Sequence, residues 1–126
     1  MQKKYIITGG AGFIGANFIH YLIQAEPESK ILNLDKLTYA GNSASLKTIE
    51  KHPRYSFIKG DICDDQLIEQ IVNDFKPSTI VHFAAESHVD RSITGPSEFI
   101  NTNITGTFNL LEIAKKHWLD NGWDSE

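Results

Sequence analysis

Three glycines at fixed spacing, Gly9, Gly12 and Gly15 in Thr8-Gly9-Gly10-Ala11-Gly12-Phe13-Ile14-Gly15, follow the apolar run Tyr5-Ile6-Ile7 and open a stretch of helical periodicity. A strand that ends in such a turn and re-enters as a helix has few folds open to it. The first glycine lets the chain reverse sharply, the second lets a pyrophosphate reach backbone, and the third lets the helix lie close on the strand. The helix beginning near Phe13 then offers unbonded N–H groups and the positive end of its dipole to the phosphates. A second apolar run, Ile31-Leu32-Asn33-Leu34, ends in Asp35, twenty residues after Gly15. A carboxylate there is placed to accept the ribose hydroxyls of an adenine dinucleotide. The turn lacks the Gly-Lys-Ser/Thr ending of a nucleoside-triphosphate loop, which excludes that class. Asp35 favours NAD over NADP, because a carboxylate repels the additional 2′-phosphate. Lys36, the adjacent cation, works in the opposite sense.

The rest of the chain alternates strand and helix. The first strand is read over Lys4 to Thr8, and the helix after it over a face of Ile14, Phe18, Leu22 and Ala25, stopping near Pro27. A second strand spans Ile31 to Leu34, followed by a polar loop from Thr38 to Ser43 and a short helix around Ser45 to Lys51. The third strand, Tyr55 to Ile58, is entered after Pro53. Asp64 or Asp65 caps a helix whose Leu67, Ile68, Ile71, Val72 and Phe75 recur at helical spacing, and Lys76-Pro77 ends it. The fourth strand is Thr79 to Phe83. The last helix begins after Pro96, with Phe99, Ile100, Ile104, Phe108, Leu111 and Trp118 on its buried side. Apolar strands joined by crossover helices imply an α/β fold, a Rossmann-like doubly wound parallel sheet of strand order 3-2-1-4.

At 126 residues and 40% hydrophobic content the chain suits one domain, residues 1–126. A net charge of −4 with no basic run speaks against a nucleic-acid partner. Cys63, the single cysteine, rules out an intramolecular disulfide and suits a reducing cytoplasm. Neither a signal-peptide core nor a membrane span is visible. The five histidines and Cys63 show no metal-ligand spacing, so no metal is expected.

In a sheet of this kind ligands bind beyond the carboxyl ends of the strands. Three segments fall there. Asp61, in Gly60-Asp61-Ile62, is placed to accept a hydrogen bond from an adenine amino group, or else belongs to a loop-and-cap cluster with Asp64 and Asp65. Ala84-Ala85-Glu86-Ser87 begins with two residues small enough for a cofactor to lie against backbone. Thr102 and Asn103 are either cofactor contacts or satisfied core groups. Ser87, His88 and Asp90 lie too close in sequence to stack as a hydrolytic triad.

The glycine turn, Leu34-Asp35-Lys36-Leu37-Thr38-Tyr39-Ala40-Gly41-Asn42, Gly60-Asp61-Ile62 and His82-Phe83-Ala84-Ala85-Glu86-Ser87-His88-Val89-Asp90-Arg91-Ser92 together resemble the extended short-chain dehydrogenase/reductases of the NAD-dependent epimerase/dehydratase family. The second and fourth segments carry the likeness to the dTDP-glucose 4,6-dehydratases, and it runs from Lys4 to Trp118. The resemblance implies NAD contacts at Gly9, Gly12, Phe13, Ile14 and Gly15, at Asp35, Lys36, Leu37 and Thr38, and at Asp61 and Ile62. It extends them to Phe83, Ala84, Ala85, Glu86 and Ser87 and to Thr102, with Ser87 also reaching a nucleotide-sugar substrate, dTDP-glucose. The implied reaction is a hydro-lyase step with internal redox: hydride passes from glucose C4 to NAD, water leaves across C5 and C6, and hydride returns to C6. The family's Thr-Asp-Glu segment and Tyr-x-x-x-Lys pair are expected beyond Glu126, so no catalytic residue is expected within the 126, and the sugar-nucleotide lobe is expected to be absent. An unpaired apolar edge at the fourth strand would then invite association. The resemblance also implies a homodimer for the complete protein. A sugar-nucleotide 4-epimerase and a non-enzymatic dinucleotide-binding module are the alternatives.

Overall fold

The computed structural model describes residues 2–10, 12–36, 46–83 and 106–120. The chain divides into two compact units, one formed by residues 1–61 and 77–84, the other by residues 62–76 and 85–126.

The first unit holds β1 (Lys4–Thr8), α1 (Phe13–Ala25), β2 (Lys30–Asp35), β3 (Tyr55–Lys59) and β4 (Thr79–His82). Among the described residues the four strands make one parallel sheet in the order β3-β2-β1-β4, as the sequence predicts. Tyr5 pairs with Ile31 and Thr79, and Ile31 pairs in turn with Tyr55. Side chains alternate between faces of a strand, yet β1 and β2 bury consecutive residues. Both faces of these central strands are therefore out of water, as parallel strands require. On one face Tyr5, Ile7, Ile31 and Tyr55 pack with Ala16, Ile19 and Leu22 of α1 and with Leu46 and Ile49. Ile6, Leu32 and Leu34, on the alternate positions, are also buried. β4 lies at the sheet edge among the described residues, and each of its residues is half-buried.

Two expectations for this unit change. The buried stripe of α1 is Ala16, Ile19 and Leu22, with Phe18 half-buried, whereas Ile14 is 67% exposed and Ala25 lies in solvent. Gly15 sets this phase: it must face the glycine turn, which rotates the helix by about one residue (roughly 100°) from the stripe read by apolar spacing. The helix expected around Ser45 to Lys51 is, over its described residues, a run of turns, closed by Ile49 N–H to Leu46 O (3.0 Å) and His52 N–H to Ile49 O (2.9 Å). Leu46 itself lies in a 3₁₀ turn, and with β-branched Thr48 and Ile49 and a stop at Pro53 the described residues after it do not continue as an α-helix. Among the described residues Leu46 and Ile49 are its buried anchors.

In the second unit, α2 (Asp65–Phe75) is capped by Asp64, whose carboxylate accepts from Leu67 N–H at 3.2 Å. It ends at Lys76 in the left-handed conformation (φ 54°), ahead of Pro77. Helix α3 (Thr107–Asp120) packs on α2. Asn109 donates to Cys63 O at 3.2 Å, and Lys116 lies 3.8 Å from Glu69. The buried side of α3 is Leu110, Ala114 and His117, while Phe108 and Leu111 are 60% and 65% exposed and Trp118 is half-buried. The face expected from Phe108 and Leu111 is thus displaced by roughly a third of a turn. Two apolar stripes run along this helix, and periodicity alone does not choose between them. The Phe99, Ile100 and Ile104 part of that reading lies outside the described residues.

Candidate functional site

The site forms in the first unit, where β1, β2 and β3 end. β1 leads directly into the turn, and Gly9 takes φ 72°, a left-handed conformation that only glycine adopts without strain. Gly9 N–H donates to Leu34 O at 2.9 Å, which ties the turn to the end of β2 beside Asp35. The Asp35 carbonyl in turn accepts from Gly60 N–H at 3.1 Å and draws the loop after β3 to the same edge. Asp61 in that loop pairs with Lys36 at 3.3 Å. The turn, Asp35, Lys36 and Asp61 are thereby brought together, with Asp35 buried and the Lys36–Asp61 pair at the surface.

Each motif glycine has a separate reason. A Cβ on Gly15 would overlap the Gly9 carbonyl oxygen and sit 2.7 Å from Gly10 Cα, so this glycine permits the close seat of α1 on the turn. Among the described residues a Cβ on Gly12 would meet only Gly9 O, at an ordinary 3.5 Å. Packing among the described residues therefore does not demand glycine at position 12. Open backbone at the head of a helix is what an approaching pyrophosphate needs. Gly12 is the N-cap of α1, it has no side-chain cap hydrogen bond among the described residues, and the first turn carries no acidic residue. These features fit a dinucleotide: the turn and the α1 amides would hold the pyrophosphate, and Asp35 the ribose.

Ile14 exposes its side chain at the head of α1, and Phe83 donates its N–H to Thr8 O at 2.8 Å, continuing the β4–β1 ladder. Ile62 is buried within the second unit. Leu37, Thr38, Ala84, Ala85, Glu86, Ser87 and Thr102 lie outside the described residues, as does the side chain of Phe13.

Two polar groupings at this edge escape sequence reasoning. Thr8, fully buried, is hydrogen-bonded through Oγ1 to His82 Nδ1 at 2.6 Å across the β1–β4 pair, and burial pushes the His82 pKa below its ordinary value. The other is Asn33, fully buried within β2, whose side chain accepts from Gly10 N–H at 3.0 Å. Its signal was present in the sequence, a lone amide inside an apolar strand. Among the described residues no cluster of three potential metal ligands occurs, and no helix is long and apolar enough to cross a membrane.

The strand order, the glycine turn and the acidic residue ending β2 define a Rossmann-type α/β chain. The chain belongs to the GDP-mannose 4,6 dehydratase family, whose model matches residues 6–124. It is 54% identical over 116 residues to an Escherichia coli dTDP-glucose 4,6-dehydratase, covering 92% of this chain and 32% of that protein. It superimposes on the dTDP-glucose 4,6-dehydratase DesIV of Streptomyces venezuelae, crystallised with NAD, with a TM-score of 0.84 at 45% identity, over 90% of this chain and 36% of the other. A Thermotoga maritima UDP-glucose 4-epimerase matches at a TM-score of 0.80 but 30% identity, over 90% of this chain and 34% of the other. The chain spans about a third of the length of the curated relatives it matches.

Proposed function

We propose that residues 1–126 are the NAD-binding portion of a dTDP-glucose 4,6-dehydratase, a hydro-lyase that yields dTDP-4-keto-6-deoxyglucose. The observation that carries this reading is Gly12: among the described residues nothing in the packing requires glycine there, and it heads α1 in a turn tied to the end of β2, where Asp35 is buried. The dehydratase reading, rather than the epimerase one, is supported by the higher identity to named dehydratases, 54% and 45% against 30%.

Bound NAD supplies a hydride acceptor and donor beside the sugar. The residues proposed here do the holding. The amides of Phe13, Ile14 and Gly15 face the pyrophosphate, Asp35 accepts from the ribose hydroxyls, and Lys36, Leu37 and Thr38 line the same ribose. Asp61 and Ile62 take the adenine. Phe83 to Ser87 and Thr102 follow the cofactor, with Ser87 reaching the nucleotide sugar. The proposed setting is the cytoplasm, and the proposed assembly a homodimer. The exposed Phe108, Leu111 and Leu119 of α3 support the latter, because such a stripe is costly to leave in water.

Calorimetric titration of the chain with NAD and NADP tests the cofactor assignment. Saturable NAD binding that is lost on Asp35→Ala, and much weaker NADP binding, are expected. Equal binding of the two cofactors, or an Asp35→Ala variant with unchanged NAD affinity, refutes it.

A further inference from the structure

Asn33 occupies a position that an aliphatic residue would fill more comfortably. It is fully buried in β2 between Leu32 and Leu34, and it shares the face on which Ile7 packs. An amide there is costly unless both of its ends are bonded. Both are. Gly10 N–H donates to Oδ1 at 3.0 Å, and Nδ2 donates to the Tyr55 hydroxyl at 3.1 Å. A backbone N–H can only donate, so Oδ1 must face the turn and Nδ2 must face the phenol, which fixes the amide in one orientation. Burial raises the Tyr55 pKa above 10.0, so the phenol remains protonated.

Space makes the same connection. A Cβ on Gly10 would overlap Asn33 Oδ1 and lie 2.5 Å from Ile19 Cδ1 and 2.6 Å from Asn33 Cγ, so Asn33 and Ile19 together keep this position glycine. The turn is consequently fastened to β2 at two successive points, Gly9 N–H on Leu34 O and Gly10 N–H on the Asn33 side chain. Gly9 N–H and Gly10 N–H are thereby directed inward at β2. Gly12 N–H turns back to Gly9 O at 3.3 Å, and the Phe13, Ile14 and Gly15 amides that open α1 have no carbonyl of their own helix to bond.

We propose that Asn33 is a positioning residue for dinucleotide binding, holding the Gly10 amide so that the head of α1 presents its N–H groups to the pyrophosphate. The inference rests on the NAD reading above and deepens it. Asn33 touches no ligand. Its effect is specific to the phosphates, because the ribose partner Asp35 is carried by β2 itself.

The test compares Asn33→Leu and Tyr55→Phe with the wild-type chain, using NAD, ADP and adenosine as probes and NMR hydrogen exchange of the Gly10 amide. Asn33→Leu removes the acceptor, whereas Tyr55→Phe leaves it in place and serves as the control for disturbance of the same core. The expected result for Asn33→Leu is a faster-exchanging Gly10 amide and roughly tenfold or more weaker binding of NAD and ADP. Adenosine binding should stay within about twofold of wild type. Tyr55→Phe should keep the Gly10 amide protected and the ratio of ADP to adenosine affinity unchanged. Parallel loss of all three probes in Asn33→Leu, the same loss in both variants, or an unchanged NAD affinity overturns the proposal. If Asn33→Leu does not fold, Asn33→Ser replaces it under the same criteria. Failure of the wild-type chain to bind NAD is a different result: it removes the cofactor reading and this inference together.

Discussion

A single methyl group should separate two jobs within the glycine turn. Gly15→Ala places a Cβ against the carbonyl oxygen of Gly9, 2.7 Å from Gly10 Cα and 3.1 Å from Gly9 C. All three are backbone atoms in a turn fastened to β2, so none can swing aside as a flexible side chain would. Overpacking of this kind costs about 1–3 kcal/mol, and the rigidity of the neighbours sets it in the upper half of that range. Alanine returns up to about 1 kcal/mol of helix propensity. The net loss is about 1–2 kcal/mol, or a fall of about 4–8 °C in thermal midpoint for a chain of this size. Gly12→Ala differs at each step. Its φ of −75° and ψ of 175° suit any residue, and the nearest neighbour stands at 3.5 Å. The poorer cap and the reduced entropy of the unfolded chain offset each other within about 0.5 kcal/mol. Its methyl group instead fills the space a pyrophosphate would enter. Thermal unfolding with and without NAD reads both effects, since a ligand at a hundredfold its Kd adds about 2.7 kcal/mol to stability. Gly15→Ala should lower the midpoint without ligand; Gly12→Ala should leave it in place and abolish the NAD-induced rise. A Gly12→Ala chain that is destabilised as much as Gly15→Ala, or that keeps the full NAD response, would refute this assignment of roles.

Lys36 is paired with Asp61 at 3.3 Å; on the proposed NAD reading this pair keeps the cation from a 2′-phosphate, so Asp61→Asn should raise the ratio of NADP to NAD affinity several-fold, measured by parallel titration; an unchanged ratio removes Lys36 from cofactor choice. Burial lowers the His82 pKa below 6.5, as burial and Lys76 do for His117. A base whose folded pKa is depressed binds more protons when unfolded, so this stability is complete above pH 6.5 and declines as the pH falls below it. The thermal midpoint should therefore drop between pH 7.5 and 5.5, with a shallower drop in His82→Gln; equal slopes would show that His82 does not contribute. Arg54 donates to Ile23 O at 2.8 Å, to Ser29 O at 2.9 Å and to Glu26 O at 3.0 Å, gathering the carbonyls at the end of α1. Arg54→Met should cost about 2 kcal/mol in chemical denaturation without altering NAD affinity at saturation of folding.

What the sequence made legible and what it hid divide along the range of the interactions. The turn, the four strands and Asp35 depend on neighbours close in sequence: a glycine where φ must be positive, apolar runs of strand length, an acidic residue at a strand's end. The Asp64 cap and the Lys76-Pro77 stop are of the same local kind. The phase of a helix is not local. Apolar spacing in α1 is satisfied by a stripe through Ile14 and Ala25, but Gly15 must touch Gly9, and that contact turns the helix until Ala16 and Ile19 face the sheet. Helix α3 offers two apolar stripes of comparable quality, and only its packing against α2 selects Leu110 and Ala114 over Phe108 and Leu111.

Gly10 and Asn33 illustrate a deeper limit on reading a motif. In sequence Gly10 is a spare glycine within a motif whose three roles are already taken, and Asn33 is an interruption in an apolar strand. Neither has a cause until the strands are paired and the turn is folded back over β2. Then each answers the other, Gly10 by lacking a Cβ where Asn33 and Ile19 crowd it, and Asn33 by supplying the acceptor for the Gly10 amide. The third partner, Tyr55, lies a further strand away and satisfies the other end of the amide. The glycine turn is therefore not shaped by its glycines alone. It is held by a polar thread running through the apolar layer from β3 through β2 to the end of β1, and the geometry offered to a ligand is set as much by that buried thread as by the residues that would touch the phosphates.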